Sequence, residues 1–136
     1  VWGPHGNFVF AESQRQPIFV ACDTGFAPLR SLIEHAMALD IAETLPLYWL
    51  ATRTDGHFLA NQCRAWAEAL DQFRYVLHAD PDPAAGARKL VQRMHTDLPL
   101  EQCDIYLAGP GEFIDTALDE LRFAGAAQAQ IFALVV

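Results

Sequence analysis

The amino-acid sequence predicts an α/β fold: a doubly wound three-layer sandwich around a five-stranded parallel sheet. Three observations carry that expectation. Five short apolar runs of strand length alternate with segments whose apolar residues recur at the 3.6-residue helical period. Strands separated by helices pair in parallel through right-handed crossovers, which builds a doubly wound sheet. The first run passes directly into a tight turn and a helix, and ligands of such sheets lie at the carboxyl ends of the strands.

The first strand is expected over residues 17–21, where Ile18, Phe19, Val20 and Ala21 form a continuous apolar run suited to burial on both faces. In the turn Asp23-Thr24-Gly25, the glycine supplies backbone freedom and lets another group approach closely. Pro28 fits the first turn of a helix, where its missing N–H costs nothing. Leu29, Leu32, Ile33, Ala36 and Met37 then line one helix face. Free amides at that helix start attract anions.

A second strand is expected over residues 47–51, followed by a polar stretch from Thr52 to His57 and a helix marked by Leu59, Cys63, Trp66, Ala67 and Leu70. Residues 73–77 give a third strand. It ends in a loop from His78 to Pro83 whose prolines continue neither element. Leu90, Val91, Met94 and Leu98 mark the third helix. The strand 105–108 runs into Gly109-Pro110-Gly111, and Ile114, Ala117, Leu118 and Leu121 mark the fourth helix. Residues 131–136 close the sheet. Phe19, Leu32, Trp49, Val76, Leu107 and Ile131 are the expected core.

At 136 residues and 52% hydrophobic content the chain suits one domain with one core. A net charge of -8 argues against nucleic acid and anionic membrane, both of which need a basic face. No apolar run reaches the roughly 18–20 residues that span a bilayer, and the first residues carry no signal-peptide pattern. Cys22, Cys63 and Cys103 are odd in number and far apart, so no disulfide framework and no zinc or iron–sulfur ligand set is expected. A reducing cytoplasm is the expected location. The five histidines lack ligand spacing, so no metal site is expected.

Three motifs, in order, resemble those of the ferredoxin–NADP reductase superfamily, especially the reductase components of bacterial oxygenases. Asp23-Thr24-Gly25-Phe26-Ala27-Pro28 resembles the Gly-Thr-Gly-x-x-Pro signature, with aspartate at the first glycine. Tyr106-Leu107-Ala108-Gly109-Pro110 resembles the Cys-Gly-Pro signature, with alanine at the cysteine. Gly3-Pro4-His5-Gly6-Asn7-Phe8 resembles the segment that closes the preceding flavin-binding barrel. The resemblance implies that residues 1–16 are the end of that barrel or a linker, and residues 17–136 the NAD(P)H-binding domain. It further implies FAD on a barrel domain in cis, hydride passing from nicotinamide to flavin, and an iron–sulfur domain or protein as electron acceptor. The cofactors carry such chemistry, so no catalytic side chain is expected.

The resemblance assigns the pyrophosphate to Asp23, Thr24, Gly25 and Pro28, and the nicotinamide side to Ala108, Gly109 and Pro110. An added carboxylate at Asp23 would repel the pyrophosphate unless it points away or caps the helix, and capping is the preferred expectation. Cofactor choice rests on the loop after the second strand. Arg53 could pair with a 2′-phosphate, whereas Asp55 could accept from a free 2′-hydroxyl. One basic residue rather than a cluster favours NADH over NADPH. Cys22 lies near a helix start that would favour a thiolate, but packing is the preferred role. Cys63 and Cys103 are assigned to packing.

Overall fold

The computed structural model describes residues 16–39, 44–54, 57 and 60–136. Among these, five strands alternate with four helices in the expected order: β1 (Gln16–Cys22), α1 (Phe26–Leu39), β2 (Leu45–Ala51), α2 (Ala60–Ala69), β3 (Phe73–Ala79), α3 (Pro83–Asp97), β4 (Cys103–Gly109), α4 (Gly111–Phe123) and β5 (Ile131–Val135). The strands form one parallel sheet in the order β3-β2-β1-β4-β5. The chain therefore works outward from β1 to one edge, returns, and works outward to the other. The strand order reverses between β1 and β4, whose register runs from Gln16 opposite Cys103 to Ala21 opposite Ala108.

Alternation along the central strands divides the core between the two sheet faces. Phe19, Ala21, Leu47, Trp49, Tyr106 and Ala108 pack with α1 residues such as Phe26, Leu29 and Ile33, and with Cys63 of α2. Ile18, Val20, Tyr48, Leu50, Ile105 and Leu107 pack with Leu90 and Met94 of α3 and Phe113 and Ala117 of α4. Two helices thus cover each face, giving the three layers. Burying a side chain the size of Phe19 or Leu107 contributes about 1.5–3 kcal/mol. Gln130 pins the start of β5 beside β4: its amide donates to the carbonyls of Leu100, Glu101 and Cys103 and accepts from Ala127 N–H.

The structure revises some expectations. Burial on both faces holds for β1, β2 and β4 but not for β3, where Arg74, Leu77 and Ala79 are exposed because β3 is an edge strand. Val76 and Ile131, expected in the core, lie on the edge strands β3 and β5 and are half-buried, whereas Phe19, Leu32, Trp49 and Leu107 are buried. His78 and Ala79 continue β3 rather than starting a loop. Pro83 is the first residue of α3, behind an Asp82 cap that accepts from Ala84 N–H at 3.0 Å. Proline tolerates a helix start, where no partner for its nitrogen is required. Gln16 is already paired in β1, one residue before the expected boundary. Residues 1–15, with the Gly3-Pro4-His5-Gly6-Asn7-Phe8 motif, lie outside the described residues, as does Leu59.

Candidate functional site

Two turns meet where the strand order reverses. β1 ends at Cys22 and passes through a short 3-10 turn, Asp23–Gly25, into α1. The neighbouring β4 ends at Gly109, and Pro110 caps α4. Gly25 lies flat against β4: a Cβ there would stand 2.1 Å from the Ala108 carbonyl oxygen and 2.5 Å from its carbon. A Cβ on Gly109 would stand 2.9 Å from Cys22 Cβ and from Phe113 Cδ2. Both glycines are required by close approach.

The turn's left-handed residue is Asp23, at φ +52°, rather than Gly25. Nor does Asp23 cap α1. Its buried carboxylate turns toward β2, where it accepts from Thr52 N–H at 2.8 Å and from the Thr52 hydroxyl. Its backbone carbonyl accepts from Trp49 Nε1 at 3.0 Å. Pointing away was the other arrangement expected to spare an anion, and the reach of Thr52 from the end of the adjacent strand makes it available. Sequence reasoning missed this contact between residues 29 apart; the only signal was a hydroxyl residue directly after β2.

The remaining expected site residues fall around this junction. Thr24 is exposed at the turn's tip, and Pro28 sits in the first turn of α1. Ala108 is fully buried, its methyl group among the residues packed with α1, so no side chain replaces the family's thiol in the crevice. Gly109 is buried and its carbonyl accepts from Val136 N–H at 3.0 Å, while Pro110 is half-buried. Beyond it the space over Gly111 is open, with nothing within 4 Å of where its Cβ would be. Arg53 is exposed on the segment after β2, near enough for its charge to act on the Cys22 thiol. Asp55 lies outside the described residues.

Behind the turns the structure is apolar and aromatic. Phe26 stacks on Trp49 with ring centroids 4.2 Å apart, and His57 meets Trp49 edge-on while its Nε2 sits 2.9 Å from the Trp49 carbonyl. Burial pushes the Cys22 thiol up to about 12, with the Asp23 charge and hydrogen bond adding to it and Arg53 only partly opposing. Cys22 is therefore a neutral packing residue, not a nucleophile. Burial likewise raises Cys63 to about 12 and Cys103 to about 11. Among the described residues no cluster of three or more His, Cys, Asp or Glu could hold a metal ion, and no helix is long and apolar enough to cross a membrane.

The junction suits a dinucleotide. Glycine lets the turns lie together, the space over Gly111 is open, and the one carboxylate in the turn points elsewhere. A helix start beside the exposed Thr24 favours phosphate, and no proton donor or acceptor is needed for hydride transfer between cofactors.

The family model described as oxidoreductase NAD-binding domain matches residues 19–119. The chain is 32% identical over 119 residues to protein RfbI of Salmonella typhimurium, covering 85% of this chain and 36% of that protein. It is 28% identical over 141 residues to the reductase component of propane 2-monooxygenase from Rhodococcus jostii, with coverages of 96% and 38%. It is 29% identical over 122 residues to the NAD(P)H-flavin reductase of Vibrio harveyi, with coverages of 86% and 52%. The Amycolatopsis cytochrome P450 reductase GcoB shares the fold, with a TM-score of 0.78 at 20% identity over 98% of this chain and 42% of that one. The chain thus spans between about a third and about half the length of these proteins.

Proposed function

The chain belongs to the oxidoreductase NAD-binding domain family, as an NAD(P)H-binding domain of the ferredoxin–NADP reductase-like superfamily, and on that premise we propose that it serves a flavin-dependent reductase. Its kinship with reductase components gives it a general role in electron transfer. In our reading NADH, in preference to NADPH, binds here, FAD sits on a barrel domain in cis, and electrons continue to an iron–sulfur domain or protein. Residues 1–16 would end that barrel or link to it. The observation that carries this reading is the apposition of the turns after β1 and β4, with Gly25 against the Ala108 carbonyl at the reversal of strand order.

A bound nicotinamide would supply a hydride for flavin to accept, and the chain's own residues would bind and orient it. The turn would hold the pyrophosphate through the Thr24 hydroxyl and the backbone amides around Thr24 and Gly25, with Asp23 shaping the turn and Pro28, which has no N–H to donate, setting the start of α1. Arg53 and Asp55 would face the adenosine ribose. Ala108, Gly109 and Pro110 would flank the nicotinamide, with close packing around Gly109 keeping the backbone in place. Such positioning can lower a barrier without any acid or base. The buried, neutral thiols suit a reducing cytoplasm.

A second reading is a nucleotide-binding or regulatory module without hydride transfer, favoured by Ala108, whose buried methyl leaves no thiol beside the nicotinamide position. Anaerobic stopped-flow mixing of the full-length, flavin-loaded protein with NADH and with NADPH separates the two. Fast flavin bleaching with one nucleotide supports the reductase and identifies its donor. No bleaching with either, in protein shown to contain FAD, refutes it in favour of the second reading. The 136-residue chain alone should be colourless and should not reduce ferricyanide with NADH.

A further inference from the structure

Asp23 occupies a position where the resembled signature has glycine, and it does so at φ +52°, a conformation that an L residue adopts at a cost glycine does not meet. Aspartate tolerates such backbone when its short side chain finds a hydrogen bond, and here the bond is to another strand. One carboxylate oxygen accepts from Thr52 N–H at 2.8 Å and the other from the Thr52 hydroxyl. The Asp23 carbonyl accepts from Trp49 Nε1 at 3.0 Å, and Trp49 is itself fixed by stacking on Phe26. Three hydrogen bonds therefore join the turn after β1 to the end of β2. Thr52 opens the segment that carries Arg53, whose charge reaches back to Cys22 at the end of β1.

We propose that Asp23 and Thr52 form a clasp that positions the adenosine end of the nucleotide, making Asp23 a positioning residue rather than a ligand. The turn after β1 and the end of β2 at Thr52 are then joined during folding instead of on binding. A loop ordered in advance raises affinity because its freedom is not lost when the ligand arrives. The clasp also keeps the carboxylate directed at Thr52 and away from the Thr24 tip, so a negative side chain and a phosphate turn coexist. The proposal rests on the nucleotide-binding reading above.

The test is calorimetric titration of the 136-residue chain with ADP, which carries the adenosine and phosphates alone, and with NADH. Thr52→Val removes the hydroxyl at nearly constant shape, Thr52→Ser restores it, and Asp23→Gly removes the carboxylate while accepting the turn's backbone. Thr52→Val, which breaks the hydroxyl bond and leaves Thr52 N–H donating to the carboxylate, should weaken ADP and NADH about threefold, and Asp23→Gly, which removes both carboxylate bonds, about tenfold, with the double variant no weaker than Asp23→Gly. Thr52→Ser should bind as the wild type does. Thr52→Val carries the test if Asp23→Gly does not fold. Wild-type affinity in folded Thr52→Val, or equal loss in Thr52→Val and Thr52→Ser, would overturn the clasp and leave nucleotide binding standing. Failure of the wild-type chain to bind ADP and NADH would overturn the nucleotide reading and the clasp with it.

Discussion

Adding one methyl group at Gly25 should force the turns after β1 and β4 apart. The new Cβ of Gly25→Ala would lie 2.1 Å from the Ala108 oxygen, 2.5 Å from the Ala108 carbon and 3.0 Å from Gly109 N. A carbon and an oxygen rest together at about 3.3 Å or more, so the turn must retreat by about 1.2 Å. Every obstacle is backbone, and β4 is held by ladders to β1 and β5 on its two sides, so no side chain can swing clear. Overpacking costs about 1–3 kcal/mol, and a backbone obstacle places this variant at the upper end, about 2–3 kcal/mol. Urea unfolding followed by tryptophan fluorescence should show it as a midpoint lowered by about 1–2 M. Gly86→Ala is the internal comparison. Its Cβ would meet the Leu50 side chain, at 2.5 Å from Cδ2, which can shift, and alanine in a helix recovers about 1 kcal/mol. Gly25→Ala should therefore lose clearly more stability than Gly86→Ala. A Gly25→Ala protein within about 0.5 kcal/mol of the wild type would refute the apposition of the turns and the site built on it.

Thr24→Glu should weaken NADH binding at least tenfold while leaving the urea midpoint unchanged, because Thr24 is exposed and an added charge there would face the phosphates in the proposed site; unchanged affinity in calorimetry would place the phosphates elsewhere. The three thiols should resist labelling in the folded protein at pH 8, and rapid modification of Cys22 by a thiol-specific dye would contradict its burial. Their folded pKa values, about 12, 12 and 11, lie above the ordinary 9.0, so the unfolded chain releases these protons first as pH rises. Their contribution to stability is complete below pH 9 and is lost through pH 11–12, so the urea midpoint should fall above pH 9 by more than in a variant lacking the cysteines, and an equal change in both from pH 8 to 10.5 would refute the linkage. Gln130→Leu should cost about 2–4 kcal/mol by leaving the carbonyls of Leu100, Glu101 and Cys103 without their shared donor, measured again by urea unfolding.

Local pattern alone carried much of this protein. Apolar period and run length marked each element, because a strand buried on both faces or a helix with one apolar stripe must write its burial into neighbouring residues. The two turns were legible for the same reason: Asp23-Thr24-Gly25 and Gly109-Pro110 each follow an apolar run. Edges were less so. The composition of β3, Phe73 to Ala79, is apolar enough for a central strand, and only the strand order leaves Leu77 and Ala79 in solvent. Pro83 was ambiguous because proline both breaks a helix and starts one. The tertiary structure alone decided how Asp23 is used. From sequence its carboxylate had a helix to cap and a phosphate to repel, whereas in the fold it meets Thr52, 29 residues on. That partner comes within reach because β1 and β2 lie side by side with Cys22 opposite Leu50. Periodicity reports which face a residue turns toward; which partner waits on the neighbouring strand is set by pairing and register, and these exist only once the chain has folded.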